Sequence, residues 1–404
     1  MTDQPAFTET EEWQSLRREV AKLASGYGRE YFVKQARSGA KTTELWQDIG
    51  KHGYLGVAVA EEYGGGGGGI GDLAAVCEEL AAQGCPLLMM VVSPAICATV
   101  IGRFGTEEQK QRWLPSLADG SLTMAFAITE PDAGSNSHNI TTTARRDPSL
   151  RHGSGQATGS GTEAGWVLKG RKIYISGVDE AGSVLVVART EDAKTGRLKP
   201  ALFVVPTDAE GLEYQPIEME IVSPERQFTL FIDDVHLPYD ALVGDENAGI
   251  AQLFAGLNPE RIMAASFSTG LARYALSKAT AYVKEREVFG VPIGSHQGVA
   301  HPLAQSAVEI ELARLMTQKA AALYDAGDDT AAGEAANMAK YAAAEAACDA
   351  ADRAVQVHGG NGITTEYGVA GLLVATRAGR IAPVSREMVL NFVGSHTLGL
   401  PKSY

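Results

Sequence analysis

The sequence predicts an α+β multidomain protein with an N-terminal helical domain, a central antiparallel β-sandwich or barrel, and a C-terminal four-helix bundle. Three observations carry this. Apolar residues recur at three- and four-residue spacing up to residue 122. Short β-branched and aromatic runs, separated by Gly, Asp and Pro turns, fill 123–243. Long helical patterns then occupy 244–404.

Trp13, Leu16, Val20 and Leu23 form the stripe of a first amphipathic helix. Similar periodicity predicts helices at Thr43 to Gly53, Asp72 to Ala82 and Ser93 to Phe104. Thr106 reads as the N-cap of a helix from Glu107 to Leu117, with acids in its first turn. The run Gly64 to Gly69 interrupts this region and reads as a flexible loop, because no Lys follows it to make a phosphate cradle. Strands are predicted at Met124 to Thr129, Ile140 to Ala144, Trp166 to Ser176, Val184 to Thr190, Ala201 to Pro206 and Phe228 to Val235. No long helical segment lies between them, which favours antiparallel pairing over a βαβ sheet. The Gly/Ser-rich piece from Arg151 to Gly165 reads as an exposed hairpin or mobile loop. After Asn247, helices are predicted at Ile250 to Glu285, Gly298 to Ala326 and Thr330 to His358. Ala dominates Ala331 to Ala354, which favours helix and lets neighbouring helices approach closely.

Composition narrows the function. Hydrophobic residues make up 45% and charged residues 21% of the 404, and 35 Lys and Arg against 49 Asp and Glu leave a net charge of -14. That balance argues against nucleic acid or anionic lipid as a general partner. No apolar run is long enough to span a membrane, and the polar, acidic start differs from a signal peptide. Four cysteines without metal-ligand spacing fit buried small hydrophobes in a reducing cytoplasm. His296 and His301 lack accompanying ligands, so no metal site is expected, and His358 reads as a helix cap.

Two stretches are placed for a ligand. In Ala127-Ile-Thr-Glu-Pro-Asp-Ala-Gly-Ser-Asn136 an apolar strand ends in a turn with hydroxyls and free backbone N–H groups, suited to a flavin ring or a phosphate, or else an ordinary ST-turn. In Gln356-Val-His-Gly-Gly-Asn-Gly362 the glycines either stop a helix or let backbone approach a dinucleotide.

Taken in order, Thr129-Glu-Pro-Asp-Ala-Gly-Ser-Asn136, Gly170-Arg-Lys-Ile-Tyr-Ile-Ser176, Glu260-Arg261, Arg286-Glu-Val-Phe-Gly290, Gln297 and Gln356-Val-His-Gly-Gly360 resemble the acyl-CoA dehydrogenase family. Gly53 to Gly64 and Glu366-Tyr367 match as well, so the resemblance covers nearly the whole chain. It implies FAD, an acyl-CoA substrate, an electron-transferring flavoprotein as acceptor, and a homotetramer or homodimer. It further implies that Phe126, Ile128, Thr129, Gly134 and Ser135 line the flavin, with Ser135 also meeting CoA. Tyr174 stands where the family commonly has Trp and Ser176 where it has Thr. Arg286, Phe289, Gln297, Gln356, Gly359 and Gly360 are implied to hold the pyrophosphate and adenine half of FAD in a neighbouring subunit. Arg286 suits that role because a guanidinium bonds phosphate in a forked geometry.

The family reaction needs one carboxylate base. Many members carry it in a C-terminal loop, but here that stretch is Ile381-Ala-Pro-Val-Ser-Arg-Glu387, with Pro383 at the Glu position. Isovaleryl- and long-chain-type members place the base on a helix directly before an Arg, which implies Glu260 here, with Asn258 and Arg261 at the substrate. Read locally, Glu260 is equally an acid in a helix's first turn, with Pro259 opening the helix and Asn258 capping it. Proline also lacks the N–H that polarises the thioester in relatives, leaving either Val384 as donor or a different arrangement. Ser385 keeps the hydroxyl that follows this loop in the family. Competing readings are other flavin chemistry on the same fold, such as a reduced-flavin monooxygenase or a desulfinase-like reaction, and a flavin- or CoA-binding protein without turnover.

Overall fold

The computed structural model describes residues 9–149, 164–192, 195–246 and 250–402. The N-terminal part holds α1 (Glu11–Ser25), α2 (Gly28–Ser38), α3 (Thr43–Lys51), α4 (Ile70–Ala82), a π-helical segment Val91–Ala98, α5 (Thr99–Phe104) and α6 (Glu107–Asp119). The Thr10 hydroxyl caps α1 by accepting from the Trp13 N–H, and Thr106 with Gln109 closes a capping box on α6. The predicted helix from Ser93 to Phe104 is thus split into a π-helical half and an α-helical half. Pro94 lies in the π half, where it removes a backbone donor and loosens the α-helical ladder. The carboxylate of Asp325 caps α4 from afar, accepting from the N–H groups of Ile70 and Gly71.

The glycine run is an ordered turn, contrary to the flexible loop expected. The N–H groups of Gly65, Gly66, Gly67 and Gly68 bond the carbonyls of Ala60, Gly56, Val59 and Val57. A Cβ on Gly65 would lie 2.1 Å from the Val59 carbonyl oxygen, so only glycine permits this approach.

The central domain is one eight-stranded sheet: β1 (Met124–Ala127), β2 (Thr143–Asp147), β3 (Gly165–Ser176), β4 (Ser183–Glu191), β5 (Leu198–Pro206), β6 (Leu212–Ile217), β7 (Gln227–Leu237) and β8 (Leu242–Val243). Its order is β6-β7-β3-β2-β4-β5-β8, with β1 also on β4. Most neighbours are antiparallel as expected, but β1 and β2 both run parallel to β4, so the sheet is mixed. The 128–142 loop is what carries the chain from one to the other. Alternate residues of β4 serve two cores. Leu185 and Val187 face the helical domain at Ile101 and Trp113, whereas Val184 and Val186 meet Trp166, Phe203 and Phe228 from the curling sheet. Burial on both faces explains the unbroken apolar run in β4. The predicted loop from Arg151 to Gly165 lies almost entirely outside the described residues.

The C-terminal part holds α7 (Ile250–Glu285), a two-residue-stranded hairpin of β9 (Glu287–Val288) and β10 (Val291–Pro292), α8 (Gln297–Asp325), α9 (Asp329–His358), α10 (Gly371–Ile381) and α11 (Arg386–Phe392). Alanines of α9 fill both the bundle core and its junction with the N-terminal helices. Across that junction Arg17 of α1 and Arg273 of α7 clasp Glu78 and Glu79 of α4. Among the described residues no helix is long and apolar enough to cross a membrane, no group of side chains could hold a metal, and all four cysteines are free.

Candidate active site

The turn after β1 is built on a buried ion pair. Lys172 of β3 is fully buried and donates to Glu130 Oε1 at 2.9 Å and to the Ile128 carbonyl at 3.0 Å. Glu130 also accepts from the backbone N–H and hydroxyl of both Thr141 and Thr142, so each carboxylate oxygen is saturated. Burial opposes charge on Glu130, but Lys172 and these donors outweigh it and hold the carboxyl at about 2. Thr129 lies between the two anchored points, with its carbonyl fixed by the Ile173 N–H. Phe126 is buried beneath the turn and Ile128 half-buried beside it. The hydroxyls of Thr129 and Ser135 have no partner among the described residues.

Tyr174 stands at a β-bulge: the β3–β7 register slips between Lys172 and Ile175. Its φ of 59° is rare for an aromatic residue, and the ring is 57% exposed. A bulge re-aims a side chain out of the sheet, here beside the Thr129 turn. Ser176 is half-buried, and its hydroxyl accepts from Gln227 Nε2 at 2.9 Å.

A second set of predicted residues gathers at the far end of the bundle. Arg286 follows α7, Phe289 caps the β9–β10 hairpin at φ 57° with 94% exposure, and Gln297 opens α8. Gln356 lies in the last turn of α9, followed by Gly359 and Gly360. Tyr282 brings α7 and α9 together here, stacking on His358 and accepting from Asn361 Nδ2 at 3.1 Å. His358 is buried and bonds the Ala354 carbonyl, closing its helix as expected.

Glu260 is half-buried on α7. The helix begins at Ile250 and carries Pro259 inside it, so Glu260 is no first-turn acid and Asn258 is no N-cap. Residues before Pro259 continue the helix because only one intrahelical bond is forfeited. Asn258 is buried and spends its amide inside the protein: Nδ2 donates to the Asp329 carbonyl at 3.0 Å, and Oδ1 accepts from Arg261 Nη1 at 3.2 Å. What it offers a ligand is the placement of Arg261, whose buried Nε has no partner among the described residues. Desolvation pushes the Glu260 carboxyl up to about 7, although Arg261 and Lys340 pull the other way.

The loop of Pro383 reaches α9. Lys340 donates to the Val384 carbonyl, and Ser385 caps α11 by accepting from the Met388 N–H. Neither the Val384 nor the Ser385 N–H is engaged among the described residues. The structure therefore brings Glu260, Arg261 and the Val384–Ser385 loop into the neighbourhood of Lys340, and gathers Phe126, Ile128, Thr129, Gly134, Ser135, Tyr174 and Ser176 around one turn. It does not bring the Arg286 group to either. Arg286, the residue after α7, lies about 26 positions beyond Glu260, about 39 Å at 1.5 Å per residue.

Sequence reasoning missed Lys172 and Lys340. Lys172 stands two and four residues after Gly170 and Leu168, in phase with an inward-facing strand row, and Lys340 interrupts an alanine run. A lone lysine inside an apolar pattern is the available sign of a buried cation.

Models of the N-terminal, middle and C-terminal domains of acyl-CoA dehydrogenases match residues 10–121, 125–235 and 247–398. The acyl-CoA dehydrogenase FadE12 of Mycobacterium tuberculosis is 63% identical over 404 residues, covering 100% of both chains. Among solved structures, a glutaryl-coenzyme A dehydrogenase in complex with glutaryl-CoA superposes with a TM-score of 0.89 at 30% identity, over 98% of each chain. The glutaryl-CoA dehydrogenase of Mycobacterium smegmatis in complex with FADH2 gives 0.86 at 26% identity, over 100% of this chain and 98% of that one. The chain belongs to the acyl-CoA dehydrogenase family; it is an oxidoreductase of that family and its cofactor is FAD.

The residues present fit that cofactor. A Cβ on Gly134, Gly359 or Gly360 would meet nothing within 4 Å, leaving open backbone where a ring or a pyrophosphate can lie. Arg286 is exposed and forms no ion pair among the described residues, so its guanidinium is available to phosphate.

Proposed function

We propose that this protein oxidises an acyl-CoA thioester to its trans-2-enoyl-CoA, with Glu260 as the base that takes the α proton. The observation that carries this reading is the placement of Glu260, a half-buried carboxyl on α7 directly before Arg261, which desolvation pushes up to about 7, where a carboxylate can accept a proton at neutral pH. Bound FAD supplies the acceptor for the β hydride. Thr129, Ser135 and Tyr174 would hold the ring, Ser176, whose hydroxyl pairs with the Gln227 amide, would border it, and Phe126 and Ile128 support the turn. Ser135 also meets the CoA side of the substrate, while Arg261, oriented by Asn258, borders the acyl group. With proline lacking an N–H, the unengaged N–H groups of Val384 and Ser385 are the loop's donors for the thioester oxygen. The relocated base sets the chain with isovaleryl- and long-chain-type members.

The separation of about 39 Å between Glu260 and Arg286 along α7 supports a second copy contributing Arg286, Phe289, Gln297, Gln356, Gly359 and Gly360. Protruding Phe289 and a cavity of about 490 Å³ between α7, α8 and the hairpin fit such a subunit contact. A homotetramer, or at least a homodimer, follows. Reduced enzyme would pass its electrons to an electron-transferring flavoprotein, and the acidic chain fits a cytoplasmic setting.

The test is anaerobic mixing of the purified holoprotein with a panel of acyl-CoA thioesters. Bleaching of the oxidised flavin by at least one member, with enoyl-CoA formed, is expected. A flavin that no thioester bleaches, but that oxygen reacts with productively after chemical reduction, would favour monooxygenase chemistry instead.

A further inference from the structure

Lys340 is 2% exposed on a helix otherwise packed with alanine, and small neighbours are what let its ammonium sit between helices. A buried ammonium ordinarily takes a carboxylate partner. This one takes the carbonyl of Val384 and forms no ion pair among the described residues. The groups facing it explain why. Glu345, one turn along α9, is occupied by Arg380 of α10 at 2.7 Å and by Arg386 of α11 at 3.6 Å. Glu387 of α11 and Cys348 of α9 act on it only at a distance, Arg261 of α7 opposes it, and Glu260 of α7 feels its charge.

We propose that Lys340 is a positioning residue for the dehydrogenation: it holds the Pro383–Ser385 loop by the Val384 carbonyl and keeps a positive charge behind Glu260. The first role follows from peptide geometry. In a trans peptide the N–H of Ser385 points opposite to the Val384 carbonyl, so fixing one fixes the direction of the other. The second follows from charge: a nearby ammonium favours an ionised carboxyl. Lys340 thus serves both partners of the reaction, the loop that faces the thioester and the base. This rests on Glu260 as the base.

The test uses the FAD-loaded full chain. Two midpoints are followed with pH: that of flavin reduction by the best acyl-CoA, and that of the carboxyl C=O infrared band which Glu260→Gln removes. Lys340→Met should move both midpoints upward by about one unit, lowering reduction at pH 7 about fivefold while the alkaline rate recovers. Lys340→Gln keeps a donor for Val384 without the charge and should shift likewise, and Lys340→Arg should restore the wild-type midpoints. An unshifted infrared midpoint in either neutral holoprotein overturns the proposal, whatever its effect on melting temperature. So does failure of both neutral variants to hold FAD while Lys340→Arg holds it, because Lys340 is then a structural tether. If wild-type flavin is never reduced by a thioester, the functional reading fails by itself, and the infrared titration still decides the role of Lys340.

Discussion

Two lysines buried by the fold do opposite work. Lys172 is paired with Glu130 and fixes the turn on which Thr129 sits, whereas Lys340, which burial pushes down to about 8, takes a carbonyl and no carboxylate of its own among the described residues. Breaking a buried pair strands the remaining ion, so Lys172→Met should cost about 3 kcal/mol in denaturant unfolding and weaken FAD retention. A destabilised variant that still holds FAD at wild-type strength would separate the pair from the turn. Glu130 also sets an acid limit. Its folded carboxyl is depressed from 4.5 to about 2, so its contribution is complete above the unfolded value and is lost as pH falls through about 2. Stability should therefore fall in the wild type as pH drops from about 5 to 3, where the unfolded carboxyl protonates and the folded one does not, and fall less over that range in Glu130→Gln, as denaturant unfolding would show. Glu260 titrates in the opposite sense: raised to about 7, it is a competent base only above that value. Flavin reduction should rise with pH through a midpoint near 7, and a flat profile between pH 6 and 8 would contradict that.

At the scale of elements, contacts between helix backbones set the frame. A Cβ at Gly270 would lie 2.4 Å from the Glu78 carbonyl oxygen, so α7 and α4 touch there without side chains between them. Gly270→Ala must push the helices apart and should lower stability by about 1–3 kcal/mol, read as a drop in Tm; an unchanged Tm would show that the junction yields. The long helices α7, α8 and α9 were legible in the sequence to within a residue at each end, because long helix-favouring stretches mark them, whereas the short helices α2, α10 and α11 were missed. The edge strand β6 was also missed: Leu212, Tyr214 and Pro216 alternate with Glu213 and Gln215, but the stretch is short, mostly exposed and holds a proline, so pairing with β7 is what makes it a strand. The parallel pairing of β1 and β2 with β4 is likewise a tertiary fact: nothing local in Met124–Ala127 records its direction. At the site, motif residues such as Thr129 and Tyr174 could be named in advance, while their supports could not. Lys172 and Lys340 act through neighbours 42 and 44 residues away, Glu130 and Val384, which spacing along the chain does not reveal.

For the whole molecule, the proposed base on α7 and the Arg286 group beyond its C-terminus lie far apart in one chain, so the proposed reading needs a second copy to complete the site. Holoprotein should sediment as a dimer or larger, and Arg286→Ala should lose FAD while leaving the Glu260 end folded. A monomer that retains FAD would contradict a shared site. The central claim remains that Glu260 takes the α proton of the thioester. Anaerobic stopped-flow reduction of Glu260→Gln with the best acyl-CoA tests it most directly, since the amide keeps the volume and removes the base. The variant should carry FAD, bind the thioester and reduce its flavin about 10²- to 10⁴-fold more slowly; reduction at the wild-type rate would contradict the claim and move the search for the base to Glu387.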